Sequence, residues 1–284
     1  MAFAFFCQCT QNNSATGEGV SGRSAKGKLT IKGSDTMVIL GQQWAEAYAK
    51  MDPTAVVQVT GGGTGTGIAA LINGSTDICE ASRPMNEREK EELLAKRGAT
   101  AVETKVALDA LTVYVNADNP IVEISLPVLA RIYLGEIANW KVVGGPNHGI
   151  VLYGRENNSG TYGYFQERVL AGKDFAPSTH SLAGTAAVAN AVKGDAFGIG
   201  YGGIAYLEGI KALQIRKDDR APRVVPSLVT TQDGSYPLSR FLYLYTAGEP
   251  AGDLKKFIDW VKGPEGQKVI ADVGYYPLPK GPLF

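Results

Sequence analysis

The stretch Val59-Thr60-Gly61-Gly62-Gly63-Thr64-Gly65-Thr66-Gly67, continuing through Ile68-Ala69-Ala70-Leu71-Ile72 to Asn73-Gly74, decides the fold. Its head completes a β-branched run, AVVQVT (55–60), that reads as a strand. The centre is a glycine and threonine turn, and the tail is an apolar helix that stops at Asn73-Gly74. The same strand, small polar turn and helix occur on both sides of it. Upstream, LTIKG (29–33) is a strand, Ser34-Asp35-Thr36 is the turn, and a helix follows with Leu40, Trp44, Tyr48 and Met51 on one face until Pro53 stops it. Downstream, DICEA (77–81) is a strand and Ser82-Arg83 the turn. Asn86 with Glu89 then forms a capping-box start for a charged helix that Gly98 closes. Repetition of this unit predicts an α/β fold with a mostly parallel sheet.

Farther out, ALDALTVYVNADNP (107–120) is the strongest strand signal and is expected to cross into a second lobe. That lobe contains a helix in SLPVLARIYLG (125–135) and a strand in IVLYGR (150–155). A second helix starts at SGT (159–161), with Tyr164, Phe165 and Val169 on its core face. GTAAVANAVKG (184–194) is a further helix and FGIGYGG (197–203) a glycine-punctuated strand. LSRFLYLYT (238–246) returns to the first lobe, where two helices close the chain, with Leu254, Phe257, Ile258 and Val261 in one stripe. The expected boundaries are 29–112 with 239–284 for the first lobe and 113–238 for the second. Residues 1–28 read differently, as an apolar signal remnant followed by a disordered Gly/Ser-rich tether with Cys7 and Cys9 as lipidation candidates.

The 284 residues carry 28 Lys and Arg against 28 Asp and Glu. The balance provides no general attraction to nucleic acid or to a membrane surface, so any bound anion must be held by local geometry. Three cysteines without a CxxC pair and only two histidines, His148 and His180, provide no metal cluster. Cys79 reads as a small buried hydrophobe and both histidines as surface residues. GGGTGTG is not the GxGxxG of a dinucleotide fold. GRSAKGKL (22–29) ends in Leu where a phosphate loop needs Ser or Thr, and no GxSxG elbow exists. No catalytic residue or cofactor is expected.

The loops carry the functional signal. Ser34, Asp35 and Thr36, Thr64, Ser82 and Arg83, and Arg155 with Ser159, Gly160 and Thr161 each follow a strand and open a helix. Helix N-termini present unpaired N–H groups and partial positive charge, and hydroxyls add neutral donors. In open α/β sheets such loops gather at the carboxyl ends of the strands. Arg155 offers a planar fork suited to a tetrahedral oxyanion. With charge-assisted bonds contributing roughly 1.5–3 kcal/mol each, this set reaches micromolar affinity without a metal.

As a set, GSDT (33–36), VTGGGTGTGIAALING (59–74), DICEASRPM (77–85), IYLGEIANW (132–140), RENNSGTYGYF (155–165), FGIGY (197–201) and GPEGQKVIADVGYYPL (263–278) resemble one family. It is the phosphate-binding component of bacterial ABC-type phosphate transporters, a family of periplasmic substrate-binding proteins. The resemblance implies a two-lobed fold of the type II-like class, with two strands crossing at the hinge and closing on phosphate. It implies that Ser34, Thr36, Thr64, Arg155, Ser159, Gly160 and Thr161 face the anion, with the backbone N–H of Ser34, Thr36 and Gly160 as the working group. Some family members place an aspartate where this chain has Ser82, and that aspartate accepts the proton of hydrogen phosphate. Here the resemblance leaves Ser82 as a donor and Asp35 or Glu80 as candidate acceptors. The implied partners are inorganic phosphate and a membrane permease. The chain is expected to be a monomer outside the cytoplasm, held to the membrane only by a lipid anchor. Two other readings stay open: a receptor for a different oxyanion or phosphorylated small molecule, and a secreted phosphatase-like protein on the same fold.

Overall fold

In a computed structural model, residues 28–279 are described, so the tether with Cys7 and Cys9 lies outside the described residues. The first lobe opens with β1 (Lys28–Gly33), α1 (Val38–Met51), β2 (Val56–Thr60), α2 (Thr64–Ile72), β3 (Ile78–Ala81) and α3 (Glu87–Arg97). The long β4 (Ala101–Asn116) leads out of it to β5 (Glu123–Ser125), α4 (Leu126–Tyr133), β6 (Val151–Arg155), α5 (Gly160–Arg168), β7 (His180–Leu182), α6 (Thr185–Gly194) and β8 (Gly198–Gly203). Four short elements follow: β9 (Ile210–Ala212), β10 (Gln214–Arg216), β11 (Arg223–Val224) and α7 (Leu228–Gln232). The chain returns along β12 (Ser239–Ala247) and ends in α8 (Gly252–Lys262), α9 (Pro264–Val273) and β13 (Tyr276–Pro277).

Ten of the described strands form one continuous sheet, in the order β2-β1-β3-β12-β4-β8-β6-β7 with β13 and β9 also paired to β4. Its outer ladders, β2-β1-β3 on one side and β8-β6-β7 on the other, are parallel, as strand–helix–strand crossovers require. Antiparallel pairing enters through the two crossing strands. β12 runs beside β4 from Ser239↔Ala110 to Ala247↔Ala101, and beyond that β4 pairs with β8 from Leu111↔Gly203 to Val115↔Ile199. Val106 to Val115 of β4 are all buried, which explains why this segment is apolar on both faces instead of alternating.

Two main cores flank that seam. One packs Trp44, Ile31, Leu244, Phe257 and Ile270 around α1, α8 and α9; the other packs Tyr133, Trp140, Phe165, Tyr201 and Leu213. The architecture is a two-lobed α/β fold. Local rules hold where they were expected. Asn86 and Glu89 form a reciprocal capping box, and Gly98 ends α3 in the left-handed region at φ 63°. Phe165 and Val169 are buried, as are Phe257, Ile258 and Val261. Met51 departs from expectation and is 57% exposed. The α1 stripe ends at Tyr48, whose ring meets Phe257 and Trp260 edge-on at centroid distances of 5.1 and 5.3 Å. The three-stranded sheet β11-β10-β5, two to three residues per strand, had no readable period in the sequence.

Candidate anion site between the lobes

Parallel register brings the carboxyl ends of β1, β2 and β3 to one edge of the first lobe, while β6 runs the opposite way in the shared sheet, so its carboxyl end faces theirs and the turns that follow meet between the lobes. Ser34, Thr36, Thr64, Ser82, Arg155, Ser159 and Thr161 are all at most 3% exposed. Their contacts join the lobes. Thr36 Oγ1 lies 2.8 Å from Thr161 Oγ1, and Arg155 Nη2 donates to Asp35 Oδ2 at 2.7 Å. Within the first lobe Ser34 Oγ donates to Ser82 Oγ at 2.9 Å, and the Ser82 amide donates to Thr64 Oγ1 at 3.1 Å. Gly160 fits closely between them: a Cβ there would collide with Thr64 Oγ1 and lie 2.7 Å from Ser82 Oγ. At the rim, the Gly65 amide donates to the Asn158 carbonyl at 2.8 Å, and Asn158 Nδ2 donates to the Gly62 carbonyl at 3.0 Å.

Arg155 ends β6 with a side chain only 2% exposed. Burial pulls its pKa down, and the Asp35 carboxylate opposes that shift. Arginine nonetheless keeps its charge in proteins. Besides Asp35 it donates through Nη1 to Thr185 Oγ1 at 2.7 Å, while its Nε is buried without a partner among the described residues. Asp35 Oδ1 in turn accepts the Gly62 amide at 2.7 Å. Such a cluster presents hydroxyls and a guanidinium in a setting of low dielectric, where each donor acts more strongly on an anion than in water.

Three sequence expectations change on this geometry. The Ser34 amide is committed to the Glu80 carbonyl at 2.9 Å, so its N–H is not free for a ligand. Glu80 is not an acceptor in the cleft. Its carboxyl lies in the first lobe's core, where a Cβ on Gly41 of α1 would run into Oε1 and would lie 3.0 Å from Val59. Burial holds its pKa well above the usual carboxylate range. Arg83 turns away toward α3, bonding Glu89 through both nitrogens at 2.9 and 2.7 Å and the Pro84 carbonyl at 2.8 Å. His148 and His180 are exposed, and Cys79 is fully buried. Among the described residues no group of three His, Cys, Asp or Glu is placed to hold a metal ion, and no helix is long and apolar enough to cross a membrane.

The family model described as PBP superfamily domain matches residues 18–265. The phosphate-binding protein PstS of Pseudomonas aeruginosa PAO1 is 33% identical over 270 residues, covering 89% of this chain and 84% of that protein. The chain belongs to the PstS family of the PBP superfamily. The PstS of Bacillus subtilis 168 is 32% identical, covering 95% of this chain and 85% of that protein. Among solved structures, a substrate-binding protein assigned to a phosphate ABC transporter of Clostridium perfringens, with phosphate bound, superposes at a TM-score of 0.80. It is 26% identical, covering 89% of this chain and 100% of the other. An ABC-type phosphate transport receptor from Vibrio cholerae gives 0.69 at 29% identity, covering 87% and 99%.

In this PstS-family chain the structure also brings residues to the cleft that the sequence reading passed over. Thr185 opens α6 behind Gly184, whose φ and ψ of 85° and 151° nearly repeat the 88° and 152° of Gly63 ahead of Thr64. The readable signal was the dipeptide itself, Gly-Thr before a helix in each lobe. Arg240 of β12 pairs with Asp109 of β4 at 2.7 Å and donates to the Ser82 carbonyl and to Thr161 Oγ1, both at 3.1 Å. Asp109 and Arg240 are opposite charges, each inside an apolar crossing strand, and buried charges of that kind must find partners.

Proposed function

We propose that this chain is an extracytoplasmic receptor that binds one inorganic phosphate between its lobes and delivers it to the permease of an ABC transporter. The observation that carries the reading is the placement of Arg155, a buried guanidinium bonded to Asp35 of one lobe and Thr185 of the other amid hydroxyls from both. The PstS relatives and the phosphate-bound Clostridium perfringens structure support the choice of ligand. The phosphate contacts are assigned to Ser34, Asp35, Thr36, Thr64, Ser82, Arg155, Ser159, Gly160 and Thr161, while Arg83 is held away from them by its bonds to Glu89. The lobes are taken as 29–112 with 239–284, and 113–238. No turnover is assigned: His148 stacks on Phe197 and His180 lies beside Tyr153, and neither bonds a hydroxyl of the cluster as a base would. The receptor acts as a monomer, anchored through Cys7 or Cys9.

Calorimetric titration with phosphate at neutral pH should give one site with a dissociation constant of about 1 μM or tighter, near −8 kcal/mol. Absence of saturable heat would overturn the reading. Arg155→Ala should weaken binding at least about tenfold, since a charge-assisted bond contributes roughly 1.5–3 kcal/mol. An unchanged constant would remove Arg155 from the site.

A further inference from the structure

Away from the cleft, the second lobe builds one corner from short pieces: β5, β10 and β11, the loop that joins β10 to β11, and the turn that leads from α7 into β12. Between that corner and the end of α5 lies an open crevice of about 410 Å³. That volume is in the range of small-molecule sites, roughly 300–1,000 Å³. Leu126, Pro222, Val224 and Pro237 give the crevice apolar walls, and its two charged lining residues, Arg168 of α5 and Lys217 of the β10–β11 loop, are both cations.

The carboxylates of this corner are engaged elsewhere. Glu123 of β5 pairs with Arg216 and Arg223 at 3.7 and 3.4 Å. Asp218 Oδ1 accepts the amides of Arg220 and Ala221 at 2.8 and 2.9 Å, and Asp219 Oδ1 accepts the Ser125 hydroxyl at 2.5 Å. Asp233 Oδ1 accepts the Ser235 amide at 2.8 Å. Arg168 and Lys217, by contrast, make no ion pair among the described residues. Arg168 lies beside the Tyr164 hydroxyl, which donates to the Ser239 carbonyl at 2.8 Å, two residues past Pro237. The arginine is thereby kept along the crevice wall.

We propose that this crevice is a second binding site, separate from the anion cleft, for a small amphiphilic monocarboxylate. Its carboxylate sits between Arg168 and Lys217, and a compact aromatic or short aliphatic body lies against Leu126, Val224 and Pro237. Both halves of the ligand are required by the site. Exposed cations hold a bare anion only weakly, because water screens them. An apolar body adds burial of hydrophobic surface, which the walls offer and a hydrated inorganic anion cannot use. The inference goes beyond the phosphate reading and does not depend on it.

The test is an amide NMR titration of the full chain, with the cleft saturated by phosphate, using phenylacetate, its neutral counterpart phenylethanol, and acetate. Val224, Gly234 and Ser235 carry amides on the crevice wall and report occupancy there. Phenylacetate should shift them saturably, with a dissociation constant on the order of 1 mM or tighter. Phenylethanol and acetate should each bind at least about fivefold more weakly, since each lacks one half of the recognition. The Arg168→Gln and Lys217→Gln double variant should weaken phenylacetate by about fivefold or more, while its other amides keep the wild-type pattern and show that it folds.

The proposal is overturned if these amides do not shift, or if the double variant binds as tightly as the wild type. Phenylethanol binding as well as phenylacetate would mean apolar adsorption, and acetate binding as well would mean an adventitious ion only. Shifts confined to Gly160 and Thr161 would place the carboxylate in the anion cleft and likewise defeat the idea. Failure to bind phosphate would overturn the receptor reading and leave the wall shifts intact, so the two can fail separately.

Discussion

Glu80 of β3 has both carboxyl oxygens buried without a hydrogen-bond partner among the described residues, against Gly41 of α1 and Val59 of β2. Desolvation is the cause of its raised pKa, so the folded chain holds it as the neutral acid. The unfolded chain releases that proton near the ordinary glutamate value, about 4.3. Above that pH the folded state therefore binds more protons than the unfolded state. Stability is complete in acid and declines as pH rises, by at most about 1.4 kcal/mol per pH unit, until the folded group itself ionises. Denaturant midpoints measured in mild acid and mild alkali should show this decline in the wild type and a smaller one in Glu80→Gln. Equal slopes would mean that the carboxyl reaches water. Arg155 is as deeply buried yet keeps its charge, because Asp35 and Thr185 bond to it from opposite lobes. A residue's number and type did not reveal which of these two fates applied. Burial did.

At the scale of the element, the sequence was most legible where the local code is dense. The α3 capping box, the Gly98 stop and the apolar stripe of α8 follow from spacing alone. The crossing of β4 was readable because a strand buried on both faces must be continuously apolar. The pairing of Asp109 with Arg240 was not, because sequence separates them by 131 positions and only the antiparallel register of β4 and β12 brings them together. The small strands β5, β10 and β11 were likewise invisible, being too short to show a period. The first turn of α5 yields a prediction of its own. Gly160→Ala places a methyl against Thr64 and Ser82 of the other lobe, so it should oppose approach of the lobes and leave each lobe's core intact. Phosphate affinity should fall by about tenfold or more, the cost of a close contact of roughly 1–3 kcal/mol, while the thermal midpoint without ligand stays unchanged. A lowered midpoint with normal affinity would place the strain inside the lobe.

For the whole molecule, the two lobes share one sheet, so any relative motion of theirs would be bending at β4 and β12, not sliding of separate bodies. The lobed architecture and the four strand-end turns were readable from the order of strands, turns and helices; the fifth, at Gly184-Thr185, became visible only when α6 was seen to open on the cleft. If phosphate bridges the lobes, it should stabilise the whole chain as one unit. Phosphate at a hundred times its dissociation constant should add about 2.7 kcal/mol to the unfolding free energy in a single transition. A split transition, with one lobe unresponsive, would show that only half the site holds the ligand.

Asn158 takes no part in the central cluster. It ties the rim, reaching the Gly62 carbonyl and Thr66 Oγ1 and receiving the Gly65 amide. Those bonds require the lobes to be in contact, so an anion approaching separated lobes would not encounter them, while one held between the lobes would leave only after they break. For a captured anion, entry and exit would then depend on different residues, and its dwell time could drift in evolution without any change to the groups that recognise it.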